Sequence, residues 1–250
     1  MITPELKATL VQYAQDCYPQ EACGLIAGEV FIPIGNVSAQ PGAGFVMCPQ
    51  QLAEALDRFE PTAIFHSHPD DTAAPSEHDV ARINRADEPL PWVIVSVPDL
   101  ELSVTYPTAR PALIGRKFVH GVDDCYSLLV DFYAQKMGID MRDYAREDEW
   151  WEKGQNLYLD NFAAEGFHEV PMSELQYGDV ILMQVLSDTV NHAGIYIGDG
   201  QILHHLYGRL SRRDVYGGYW LDRTSRTIRH SLYNACNVKP LLESDNANHY

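Results

Sequence analysis

The chain has 250 residues, enough for one large domain or two small ones, and 46% of them are hydrophobic. With 21% charged residues and a formal net charge of −17, its profile is that of a globular protein. It excludes a disordered chain, and it argues against a nucleic-acid binder, which needs clustered Lys and Arg. The N-terminus, "MITPELKATLVQYAQDCYPQEACG", lacks a basic stretch followed by an apolar core, so no signal peptide is expected, and no run is long enough to span a membrane. Cys17, Cys23, Cys48, Cys125 and Cys236 form no CxxC pair and read as free thiols of a protein made in a reducing compartment.

In chain order, Thr3 and Pro4 predict an N-cap and first helical position, followed by Leu6, Leu10, Tyr13 and Cys17 at helical spacing. "CGLIAGEVFIPI" and "TAIFHSH" read as strands, with a short helix over Gln50 to Phe59 between them and another beginning near Ser76. "WVIVSV" and "ELSVTY" read as two more strands. The proline-interrupted "TYPTARPALIG" then reads as a break, because proline removes donors and disfavours helix before it. Beyond it, "DDCYSLLVDFYAQKM" predicts a helix, Met141 to Phe162 a further helical region, and "GDVILMQV", "HAGIYIGDGQILHHL" and "TIRHSLY" the strands of an antiparallel sheet. The final "ESDNANHY" reads as a frayed polar tail. The expected organisation is α+β, with a mixed-sheet domain over 1–105, a linker over 106–112, a second α+β domain over 113–243 and the tail over 244–250.

Within "IFHSHPDDTAAPSEHD", His66 and His68 share one face of a strand, while Ser67 points away. Ser76 can cap the next helix and place Asp79 in its first turn. Two imidazoles and one carboxylate, with a fourth position open, form the donor set of catalytic zinc rather than structural zinc. Such chemistry also needs a base and an oxyanion donor. The alternative is a polar loop with histidines near a turn, but the four-residue pattern arises by chance roughly once in a thousand chains of this composition. His78 belongs to no such pattern and reads as solvated surface. The four residues match the JAMM motif, and the segment resembles the MPN-type metalloproteases over residues 1 to 105. "PQEACGLIAG" supplies the upstream glutamate of that family, Glu21. The resemblance implies zinc held by His66, His68 and Asp79, with Glu21 as general base and Ser76 supporting the tetrahedral intermediate.

Cys125 opens a helix with Asp124 as a plausible N-cap. A helix N-terminus favours the thiolate, whereas Asp123 and Asp124 oppose it. His192 begins "HAGIYIG". A three-residue loop at Gly198, Asp199 and Gly200 puts His192 and His204 on one face, whereas a two-residue turn selects His205 instead. A cysteine alone reads as a buried structural thiol, but "DCYSLLVDFY", "LQYGDVILM" and "NHAGIYIGDGQILHH" together resemble the papain-like NlpC-type cysteine peptidases. That resemblance implies Cys125 as nucleophile, His192 as base and His204 as the orienting third residue, in a thiolate–imidazolium pair. The sequence departs from it in two respects. Tyr126 and Ser127 replace the usual Ser-Gly, and Phe118 occupies the approximate place of a tyrosine that often assists the oxyanion.

The order of the two domains, with "KFVHGVDDCYSLLVDFY" and "VYGGYW", resembles the tail assembly proteins of lambda-like phages. This implies synthesis in the bacterial host cytoplasm, phage tail-tip proteins as partners, a place at the virion tail tip, and peptidoglycan peptides as substrate. Two functions compete. One is a peptidase with a zinc site and a Cys–His site; the other is an assembly or docking factor with one or both sites inactive.

Overall fold

The computed structural model describes residues 2–86, 89–109, 111–233 and 238–247. It divides into two compact units, Met1–Arg110 and Pro111–Tyr250. Cys236 lies outside the described residues, and Cys17, Cys23, Cys48 and Cys125 are free thiols.

The first unit opens with α1 (Pro4–Cys17), where the Thr3 hydroxyl accepts the Leu6 N–H at 3.2 Å. Its buried face is Leu6, Leu10 and Ala14, packed on Ile26, Phe65, Val93 and Val95 of the sheet. The run expected as one strand is a hairpin, β1 (Cys23–Ala27) and β2 (Val30–Ile34), turned at Gly28 with φ +63°. After α2 (Pro49–Leu56) come β3 (Ala63–Pro69), α3 (Glu77–Arg85), β4 (Trp92–Val97) and β5 (Leu102–Thr105). The sheet order is β2-β1-β3-β4-β5. The β3–β4 pair is parallel and the other pairs antiparallel, so the expected mixed sheet is present.

The second unit begins its helical part with α4 (Cys125–Phe132). The helix expected to run on to Met137 changes pitch, because Tyr133–Met137 winds as a π-turn closed by Gly138 at φ +66°. The wider turn carries Tyr133 and Lys136 into the interior, where the Tyr133 hydroxyl donates to the Gly178 carbonyl at 2.7 Å. Met141 to Phe162 was expected to be helical, but its one α-helix is α5 (Leu157–Asn161). Tertiary hydrogen bonds override helix propensity upstream, where Tyr126 donates to the Arg142 carbonyl and Arg146 reaches Asp124 and Asp143.

Strands β6 (Phe167–Glu169), β7 (Val180–Met183), β8 (His192–Tyr196), β9 (Gln201–His204), β10 (Arg212–Val215) and β11 (Thr224–His230), with α6 (Tyr219–Asp222), complete the unit. Their order is β10-β9-β8-β7-β11-β6, antiparallel throughout. β7 is buried along its whole length, with Val180 and Leu182 in the main core beside Leu128, Leu129 and Phe132 of α4. The expected tail is tied down at its start. Asp245 is buried against Lys136 at 2.7 Å, and the Ala247 N–H donates to the Ile114 carbonyl. A carboxylate paired with a buried ammonium keeps this end from fraying. Among the described residues no helix is long and apolar enough to cross a membrane.

Candidate functional sites

In the first unit the period-two geometry of β3 directs His66 and His68 to one side and Ser67 to the other. Ser67 accepts the Ala22 N–H at 2.8 Å on its side chain and donates its own N–H to the Ala22 carbonyl. These bonds tie the Glu21 segment to the strand that carries the histidines. Asn36 fixes it further by donating to the Glu21 carbonyl at 3.0 Å. At α3, Ser76 and Asp79 form a reciprocal capping box. The Asp79 N–H donates to Ser76 Oγ, and the Ser76 N–H and hydroxyl donate to Asp79 Oδ2 at 2.8 and 2.7 Å.

The two imidazole Nε2 atoms lie 2.9 Å apart, and Asp79 reaches them at 3.4 Å from His66 and 3.2 Å from His68. Among the described residues, His66, His68 and Asp79 form a group whose ligand atoms all fall within 4.8 Å of one another. The His68 Nδ1 is 2.8 Å from the Thr72 carbonyl and donates to it, which leaves Nε2 to face the group. Two nitrogen lone pairs and a carboxylate at this range need a positive charge among them, a proton or a cation. An N,N,O set suits zinc. Phe45 and Trp92 flank His66 at ring distances of 4.9 and 5.2 Å and supply apolar walls.

Electrostatics follow from this burial. Burial pushes the Glu21 carboxyl up to about 7, with the nearby Asp79 charge adding to the effect. Burial works against an ionised Asp79, but hydrogen bonds from His66, His68 and Ser76 outweigh it and hold that carboxyl far below the usual range. Burial lowers His66. It also works against a charged His68, but Asp79 and the Thr72 carbonyl raise that ring above its ordinary value. Glu21, His68, Ser76 and Asp79 line a cavity of about 470 Å³ with Phe45 and Arg82. His78, read as surface, is exposed and lines it too. Arg82, one helical turn beyond Asp79, was not singled out from sequence, because a single arginine in an amphipathic helix carries no motif.

In the second unit Asp124 is the N-cap of α4, accepting the Tyr126 and Ser127 N–H groups at 3.0 and 2.9 Å. Ser127 returns the contact by accepting the Asp124 N–H at 2.7 Å. Arg146 neutralises the cap at 2.8 Å. α4 packs on β8, and the Cys125 thiol lies against the backbone N–H of Ala193, the residue after His192. The β8–β9 pairing sets Gly194 opposite His204 around a loop of Gly198, Asp199 and Gly200, all at positive φ. That is the three-residue loop, and it puts His192 and His204 on one face. The His192 Nε2 is 3.0 Å from His204 Nδ1, and His204 Nε2 is 3.0 Å from Asp214 Oδ2. His205 instead meets Phe118, with ring centroids 5.1 Å apart.

The chain of contacts fixes tautomers. Ionised Asp214 accepts from His204 Nε2–H, so His204 Nδ1 is the acceptor for His192 Nε2–H. The lone pair of His192 is then on Nδ1. Burial lowers His192 well below its ordinary value and lowers His204 as well, Asp214 opposing the latter. Burial also pushes the Cys125 thiol up to about 11, with the Asp124 charge next in weight. Both shifts favour the uncharged forms of Cys125 and His192 at rest, against the thiolate–imidazolium pair that the resemblance implies.

Residues 3–105 match the family described as prokaryotic homologs of the JAB domain, and residues 115–229 match the NlpC/P60 family. The chain is 40% identical over 229 residues to the tail tip assembly protein K of Escherichia phage N15, covering 88% of this chain and 92% of that one. The chain belongs to the tail tip assembly protein K family. The phage lambda protein K is 42% identical over 189 residues, covering 76% of this chain and 92% of its own length.

Two residues of the second cluster in this protein K family member escaped sequence reasoning. Asp214 sits on β10, opposite Ile202 in the ladder, and its only sequence signal is the alternation of "RRDV". Tyr158, on α5, places its hydroxyl 3.2 Å from Cys125 Sγ across 33 residues of chain, a pairing that no local pattern announces.

Proposed function

We propose that the chain is a two-site peptidase of the phage tail tip, cleaving peptidoglycan peptides at Cys125 and carrying a zinc-dependent peptidase centre in its first unit. The observation that carries this reading is the His192–His204–Asp214 chain, which leaves an imidazole lone pair for the cysteine site at the start of α4. Cys125 attacks the scissile carbonyl while His192 takes the thiol proton in the same step, since neither group is charged at rest. His204 orients His192, and Asp214 orients His204. In the first unit His66, His68 and Asp79 would hold the metal, with Ser76 fixing the carboxylate. Zinc held there would supply Lewis-acid activation of a water and of the scissile carbonyl. Glu21, buried at the cavity wall with its raised carboxyl, would be the base that takes a proton from the attacking water and hands it to the leaving amine. Ser76 supports an oxyanion only by turning its hydroxyl away from Asp79.

A second reading, an assembly or docking factor with idle sites, has support in the printed name of the two relatives, tail tip assembly protein K. Isolated peptidoglycan separates the two. The full chain should release new amino termini, Cys125→Ala should release none, and His66→Ala should keep the release while losing about one zinc per chain. Intact peptidoglycan together with equal metal content in all three proteins would leave the docking reading.

A further inference from the structure

The cysteine site departs from its family at Phe118, where a tyrosine often serves the oxyanion. Phe118 has no hydroxyl, and its ring packs against His120, His205 and Tyr207 at 6.4, 5.1 and 5.2 Å. A cysteine peptidase still needs a donor for the oxygen that becomes negative, because that charge develops in a site closed to water.

We propose that Tyr158 is that donor: its hydroxyl, delivered from α5 at the Cys125 sulfur, takes the role that Phe118 lacks. This rests on the peptidase reading of Cys125. Three observations carry it. The hydroxyl is 3.2 Å from Sγ, so it lies beside the carbon that the sulfur attacks. The ring is 5% exposed and wedged between Tyr126 and Trp150, at 5.9 and 6.1 Å, so the hydroxyl is held in place before substrate arrives. Burial pushes the phenol well above its ordinary value, with the Cys125 sulfur adding to the effect, so the oxygen keeps the proton it must donate.

The step balances without a co-reactant. As the Sγ–C bond forms, the thiol proton passes to His192 and the carbonyl π pair moves onto oxygen, where Tyr158 O–H meets it. On collapse the C–N bond breaks and the proton on His192 leaves with the amine. Tyr158 keeps its own proton throughout.

Tyr158→Phe removes one oxygen and leaves the ring in place. With muropeptides as substrate, kcat should fall about a hundredfold or more, the cost of one oxyanion donor, with KM little changed. Iodoacetamide alkylation of Cys125 forms no oxyanion, so it should fall only a fewfold. Equal kcat in wild type and variant would overturn the proposal, as would faster cleavage and alkylation, which would make the hydroxyl a cap on the thiol. A parallel fall in kcat and alkylation would reduce Tyr158 to a structural support. A wild-type chain that cleaves nothing fails on the peptidase reading itself, before Tyr158 enters.

Discussion

The Cys125 thiol sits at a helix start but gains little acidity from it. Burial and the Asp124 cap both favour the neutral form, and the Tyr158 hydroxyl, the Ala193 N–H and Arg146 offset them only in part. With a thiol near 11 against about 8.5 for a free cysteine, the thiolate fraction at pH 8 is lower by roughly a hundredfold or more. Iodoacetamide should therefore label Cys125 more slowly than a free thiol at that pH, with a rate that keeps climbing past pH 10, read by mass spectrometry of the Cys125 peptide. A midpoint below that of free cysteine would mean that His192 holds a thiolate after all. The difference from the sequence expectation has a simple origin. A helix N-terminus and two aspartates can be read locally, whereas the desolvation of the sulfur depends on α5 and β8, which fold over it from far along the chain.

The elements place these groups through contacts of two kinds. Short-range devices were legible in the sequence: the alternation of β3 that pairs His66 with His68, the capping box that turns Asp79 toward them, and the Asp124 cap of α4. The choice between His204 and His205 stood one step further away, since it needed three successive left-handed residues at Gly198, Asp199 and Gly200. Long-range devices were not legible. Arg146 buries its guanidinium against Asp124 and so draws a segment expected to be helical into irregular backbone. Lys136 reaches Asp245 because a π-turn rotates it inward, and that pair holds down the chain end expected to fray. Lys136→Met strands a buried carboxylate, so it should cost about 3 kcal/mol in urea unfolding of the full chain. The double variant with Asp245→Asn should recover part of that. A single variant as stable as wild type would mean the ion pair does not hold this end.

At the scale of the whole molecule, each of the two units has its own sheet, its own core and its own cluster of reactive side chains. Both units were readable in outline because each carries a compact motif, the HxH–S–D group in one and the cysteine and histidine strand in the other. The chemistry of the two clusters differs at its root. Two imidazoles and a carboxylate converge on space for a cation, while His192, His204 and Asp214 form a chain of proton donors and acceptors that needs none. Cleavage at the cysteine should therefore be indifferent to metal. The most direct measurement is the rate of muropeptide cleavage by the full chain before and after treatment with a metal chelator. The rate should be unchanged by the treatment and absent in Cys125→Ala. Cleavage that disappears with the metal, or that persists in Cys125→Ala, would contradict a cysteine peptidase in the second unit.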